Sequence, residues 1–406
     1  MVVATARIWG LWLERHGHDL VLAGVPLFGH WQLRLRWPVV PAAVLGIVVI
    51  VLAPRLVARL RWWALLAATW TTVVAWSVAL AAIDGATGFT KGVESKHEYL
   101  PFARAIPDIP AFLRSFTTEL PQYPTHVKAH PPGMVVLLAL LDRVGLAGSG
   151  AVAGLYIAGG GIAVVAVLVI TRIIAGEHTA RRAAPFLAAP PLAIWIATSA
   201  DAFYAGVTIG AVALLAVSAT RRGRGGIAIA AAAGVLFGCA LHLSYGLVLA
   251  APLAAAVLIA RRQVRPALGA AAGASIVAGI FLLLGFNWVA GLGATRDVYA
   301  AGVAAQRPAW YFVVGNLGAL ALAVGPVVAA GATRVRGRLW WLVGAALVGV
   351  AAADLSGLSK AEVERIWLFL AIPLTAAAAG VSHQRRYLAL HVAAGFALAV
   401  SFNAGW

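Results

Sequence analysis

The sequence predicts an all-α, multi-pass membrane protein. Three observations carry this: 62% of the 406 residues are hydrophobic and only 11% are charged, at a mean hydropathy of +0.91; apolar runs of bilayer-crossing length follow one another along the chain; and arginine clusters recur between alternate pairs of those runs. A soluble globule is nearer half apolar. The excess of 31 basic over 14 acidic residues forms no single stripe interleaved with aromatics, so nucleic acid is excluded as a partner. Cys239, the single cysteine, lies inside an apolar run and permits no internal disulfide. Residues 1–37 scatter Arg7, Arg15, Arg34 and Arg36 among tryptophans, which predicts no cleavable signal.

Spans of the length a bilayer requires fall at 39–54, 63–83, 150–172, 183–199, 202–220, 226–242, 243–260, 266–287, 310–331, 339–354, 365–383 and 387–402. With the short 133–147 segment the count is about 12–13 spans in one integral membrane domain, 1–406. The clusters Arg55–Arg61, Arg172–Arg182, Arg221–Arg224, Arg261–Arg265, Arg334–Arg338 and Arg385–Arg386 mark the cytoplasmic turns. The intervening turns, 84–131, 199–201, 242–245, 287–309 and 354–364, hold most of the acids and face outward. The segment 133–147 breaks the alternation of sides, so it re-enters or a neighbouring boundary shifts, and the apolar stretch 19–33 is equally open.

The outer loop 84–131 is the only long polar stretch, and a loop of that length is functional or disordered. Asp108 followed by Pro110 starts a helix. Its apolar stripe is Ile109, Phe112, Leu113, Phe116 and Leu120, which lies either against acyl chains at the interface or over the bundle as a cover. The loop ends on Thr125-His126-Val127-Lys128-Ala129-His130-Pro131-Pro132-Gly133, directly before an apolar run. Prolines there make a regular helix unexpected, so the spacing of His126 and His130 says little about a metal.

Asp84 follows the apolar run 70–83 directly. A carboxylate there suits a base or a cation ligand, and equally a solvated acid closing a span. Glu98, beside His97 and Tyr99, is the second candidate acid. In the segment 354–367, Ser359 with Glu362 reads as a capping box, which leaves Glu364 and Arg365 for function. Arg365 can meet a phosphate bidentately or pair with a loop acid. All four lysines, Lys91, Lys96, Lys128 and Lys360, fall in outer elements, where they serve a lipid-linked phosphate or are simply solvated.

An acid closing a transmembrane helix, a long outer loop and His-Pro-Pro-Gly opening a short apolar helix together resemble the GT-C superfold of polyprenyl-phosphate-sugar-dependent glycosyltransferases. The later Glu-Val-Glu-Arg-Ile-Trp-Leu resembles a motif of related bacterial membrane proteins. The resemblance implies transfer of a sugar from a polyprenyl-phosphate donor to a glycan, lipid or protein hydroxyl at the outer face of a bacterial plasma membrane. It implies Asp84 as the catalytic acid of the first loop; Glu98 stands as the second choice. Lys96, Lys128, His130, Glu364 and Arg365 are the expected substrate contacts, and a divalent cation is a possible cofactor. The rival readings are a lipid or solute transporter and a noncatalytic accessory subunit. Against transport, charges inside the spans are almost absent and no inverted repeat is visible.

Overall fold

A computed structural model describes residues 1–85, 87–197 and 199–404. The chain opens with α1 (Val2–Arg15), then runs irregularly to a short strand β1 (His30–Trp31). Helices α2 (Val39–Arg59) and α3 (Trp62–Ala81) follow, then the loop helices α4 (Tyr99–Arg104), α5 (Ile109–Glu119) and α6 (Thr125–Lys128). Next come α7 (Gly133–Arg143), α8 (Ser149–Ala175), α9 (Glu177–Ala188), α10 (Ala193–Ile196), α11 (Ala200–Ser218), α12 (Gly223–Leu243), α13 (Ala251–Arg261) and α14 (Arg265–Leu283). The remainder is α15 (Trp288–Ala301), α16 (Val303–Gln306), α17 (Ala309–Val324), α18 (Pro326–Ala332), α19 (Leu339–Leu355), α20 (Val363–Ile366), α21 (Leu368–Thr375) and α22 (Gln384–Ser401). A last strand, β2 (Phe402–Asn403), pairs antiparallel with β1, His30 opposite Asn403 and Trp31 opposite Phe402.

The all-α membrane architecture is as the sequence predicts, but the spans divide differently. Among the described residues, six helices are long and apolar enough to cross a membrane: α2, α3 extended to Asp84, α8, α11, α12 and α14. A seventh span is available if α17 and α18, bent by 97° at Gly325, count as one. Three further apolar stretches, Tyr245–Arg261, Leu339–Leu355 and Leu368–Gly380, are shorter. The expected span 183–199 is two pieces, α9 and α10, parted at Pro190-Pro191 because proline supplies no amide for the helical ladder. The carbonyl of Pro190 accepts a hydrogen bond from Trp76 Nε1 at 3.1 Å instead. At 11 residues α7 is only about 16 Å long, too short to cross a bilayer. The stretch 19–33 is no span either; it is loop and strand, and α1 packs on α17.

Helices α8 and α11 form the centre and pack closely because glycines face each other. A Cβ on Gly206 would stand 2.4 Å from the Gly159 carbonyl oxygen, the small-residue contact that lets membrane helices approach. The outer helices α2 and α14 are mostly unburied within the chain and show Val44, Ile47, Leu268 and Ile276 outward, as lipid-facing helices do.

The two sets of turns drawn from the arginine pattern gather at separate places. Arg181 Nη1 donates to the carbonyls of Val57 (2.5 Å) and Leu60 (3.0 Å), and Arg182 Nε donates to Ala379 (2.9 Å), tying three basic turns together. The turns predicted to face outward meet elsewhere: Arg365 with Asp201, Gly133 against His242, and Thr295 Oγ1 donating to the Lys128 carbonyl at 3.3 Å.

Candidate functional site

The loop residues 87–131 are arranged around α5. Asp108 caps this helix, its Oδ1 accepting from Ala111 N–H at 3.0 Å, as the sequence predicts. Its apolar face turns inward: Phe112 and Phe116 stack edge-on with each other, and Phe116 meets Phe286 edge-on at 5.4 Å. The acyl-chain alternative is therefore corrected to a cover over the bundle, because the aromatic face finds partners in the protein itself.

The same loop contributes Glu98, His126 and His130 to a buried ionic cluster. Arg365 Nη1 is 2.6 Å from Asp201 Oδ2, and Nη2 contacts Glu362 Oε2. Burial opposes its charge, but Glu362, Asp201 and Glu98 outweigh that and hold the guanidinium protonated. Glu98 is a third carboxyl around this single cation. Its pKa is pushed up to about 7, first by burial and then by Asp201 and Glu362, with Arg365 pulling the other way. His126 Nε2 approaches Glu98 Oε1 at 3.5 Å. Burial, reinforced by Arg365, pushes the His126 pKa well down, so the imidazole is neutral and the contact is a long polar one rather than an ion pair.

His130 completes the cluster. Its Nδ1 lies 2.9 Å from the His126 carbonyl oxygen and must donate to it, which leaves Nε2 as the acceptor of the neutral ring. Burial lowers its pKa in spite of Asp201. The ring packs edge-on to Tyr99 at 5.8 Å and beside Tyr204 at 5.9 Å. The Pro-Pro-Gly that follows has a structural reason. A Cβ on Gly133 would lie 2.3 Å from the His242 carbonyl oxygen, so only glycine lets α7 start against the end of α12.

The other predicted residues meet protein partners or solvent. Asp84 pairs with Arg34, whose guanidinium also donates to the carbonyls of Ala399 and Phe402. It thus clasps the N-terminal segment to the end of α22. Glu364, expected to meet substrate, is buried, and its Oε1 accepts from Phe28 N–H at 2.9 Å. Burial raises its pKa to about 7. Arg365, expected to be open to a phosphate, is buried, with Nη1 and Nη2 engaged by its two acids. The capping box is also corrected. Glu362 is the N-cap of α20 but makes no side-chain cap, because its carboxylate is drawn to Arg365. Lys96 is exposed and Lys128 half-buried.

Asp201 is the residue that sequence reasoning passed over. The signal was present: an acid following Ser199-Ala200 at the start of an apolar run needs a partner if it is buried. A divalent cation does not fit this cluster. Among the described residues no three His, Cys, Asp or Glu side chains are placed to hold a metal ion, and Asp201 Oδ2 and Glu362 Oε2 are engaged by Arg365.

The fold and cluster define a polytopic α-helical membrane protein with a buried ionic cluster that the loop 87–131 helps to form. No protein-family model matches the chain, and no curated protein matches it. Among solved structures it is similar to the crystal structure of the Archaeoglobus fulgidus oligosaccharyltransferase in complex with zinc and sulfate, at 17% identity and a TM-score of 0.41, over 81% of this chain and 52% of that one. The chain spans about half the length of the oligosaccharyltransferase chain it matches.

Proposed function

We propose that this protein is a membrane glycosyltransferase that moves a sugar from a polyprenyl-phosphate donor to an acceptor hydroxyl at the outer face of the membrane. The observation that carries the reading is Glu98, a loop carboxyl whose pKa is raised to about 7 by a buried site. A base of that pKa is half-ionised near neutrality and still basic enough to take a hydroxyl proton. The His-Pro-Pro-Gly resemblance supplies the reaction class.

In this reaction the acceptor oxygen attacks the anomeric carbon and its proton passes to Glu98. The bond from that carbon to the phosphate oxygen breaks, and polyprenyl phosphate leaves with the electron pair. Arg365 is a positioning residue: held by Asp201 and Glu362, it keeps the Glu98 pKa from rising further. The neutral Nε2 of His130 is placed to accept a hydrogen bond from a sugar hydroxyl. Lys128 and Lys96, at the two ends of the loop's polar stretch, attract the anionic head group. Asp84, the first-choice acid by resemblance, serves as the clasp of Arg34 in this reading, and Glu98 is the base.

The test is turnover of a panel of short-chain polyprenyl-phosphate sugars by the purified protein in nanodiscs. Release of polyprenyl phosphate with glycosylation of an added acceptor is expected. Movement of a solute across vesicles without bond cleavage would assign the chain to transport instead. Orientation is checked separately with an impermeant thiol reagent on intact cells. A cysteine placed at Glu119 should react and one at Gly223 should not; the opposite pattern would turn the loop to the cytoplasm.

A further inference from the structure

Because Arg365 is sequestered, a departing phosphate must find its positive charge elsewhere. A cleft of about 520 Å³ opens between α15 and the segment 357–360 that leads to α20. Its volume is that of a small-ligand site. Arg296, Asp297 and Tyr299 enter from α15 and Lys360 from the facing segment. The charges sum to one net positive, the complement of a singly charged phosphodiester.

The wall that carries Lys360 is held in a costly conformation. Ala361 and Glu362 have φ of 76° and 61°, left-handed backbone in residues with side chains. Such strain persists only where the surroundings fix it, and it gathers at ligand clamps. Here the fixing is explicit. Asn316 Nδ2 donates to the Ser359 carbonyl at 2.7 Å and to Asp354 Oδ1 at 2.9 Å, while its Oδ1 accepts from Ala361 N–H at 3.3 Å. Arg307 Nη1 donates to the Lys360 carbonyl at 2.7 Å, and Glu362 ends on Arg365. The cleft wall and the buried cluster are thus one continuous framework. Leu358, 47% exposed, lines the cleft, and Leu355, 77% exposed, ends α19 three positions before it, an apolar edge suited to a lipid tail.

We propose that this cleft binds the phosphate head group of a lipid-linked sugar, with Arg296 and Lys360 contacting the phosphate oxygens and Leu355 and Leu358 flanking the first isoprene units. Asp297 tunes the charge, so that a phosphodiester is held and the more negative monoester product is retained by the same cations. The assignment rests on the proposed transfer reaction for the origin of the phosphate, but its binding test does not.

The experiment measures binding of farnesyl phosphate to the full-length protein in nanodiscs, with inorganic phosphate and glucose 1-phosphate as soluble comparisons. R296Q and K360Q should each weaken farnesyl phosphate about tenfold or more, the loss expected for one charge-assisted hydrogen bond. D297N should tighten it, and K91Q, in an exposed lysine remote in sequence, should leave it unchanged. Unchanged affinity in both R296Q and K360Q overturns the site. Equal affinity for inorganic phosphate overturns the lipid assignment. Turnover by the wild type with an unchanged donor KM in both variants rejects the cleft and leaves the reaction standing. Binding lost in the variants, without turnover in the wild type, supports the cleft and removes the reaction.

Discussion

Replacing Glu98 by glutamine should make the protein's stability less dependent on pH. In the folded chain Glu98 keeps its proton up to about pH 7, whereas its ordinary value is 4.5. The retained proton stabilises the fold fully below about pH 4.5, and this contribution is lost as the pH rises through 7. At ~1.4 kcal/mol per pH unit, the interval corresponds to about 3 kcal/mol. Wild type therefore carries, above neutrality, a buried carboxylate that the Gln variant lacks. The difference in unfolding free energy, variant minus wild type, should rise by about 3 kcal/mol between mildly acid and mildly alkaline buffer. Glu364 also titrates near 7, but it is present in both proteins and cancels from the difference. Denaturant unfolding in detergent across that pH range measures it, and a flat difference would show that Glu98 does not titrate there. The same group governs rate: transfer by wild type should rise through about pH 7 as the carboxylate forms, and Glu98→Gln should abolish it.

Arg365→Gln leaves the buried Asp201 uncompensated and should cost about 3–5 kcal/mol in the same unfolding assay, a loss that Asp201→Asn in the Gln background partly restores. A double variant no more stable than the single one would deny the pair. Asp84→Asn should retain transfer within a few-fold while exposing residues 16–36 to protease, because it releases Arg34; loss of transfer with the segment still protected would return the base role to Asp84. Gly133→Ala drives a methyl against the His242 carbonyl oxygen and should destabilise by about 1–3 kcal/mol, read as a lowered unfolding midpoint, whereas Gly148→Ala, with open space around it, should not.

The solvent this chain folds in and the order of its segments can be read along the residues alone. Hydrophobic runs and arginine spacing are local quantities, each fixed by what a bilayer and its charged faces accept, so the all-α membrane class and the two groups of turns were legible. The Asp108 cap and the stripe of α5 were legible for the same reason, since helix periodicity places those residues relative to one another. The segment lengths were less so, because hydropathy does not register that Pro190-Pro191 breaks one run or that Gly325 bends another by 97°. What covers a stripe and what neutralises an acid are long-range matters. No local pattern indicates that Arg365 closes on Asp201, 164 positions away, or that Arg34 reaches Asp84. Those pairings arise from the packing of distant segments. Burying a charge in an apolar interior is costly unless an opposite charge meets it, and that requirement selects partners by proximity in the fold.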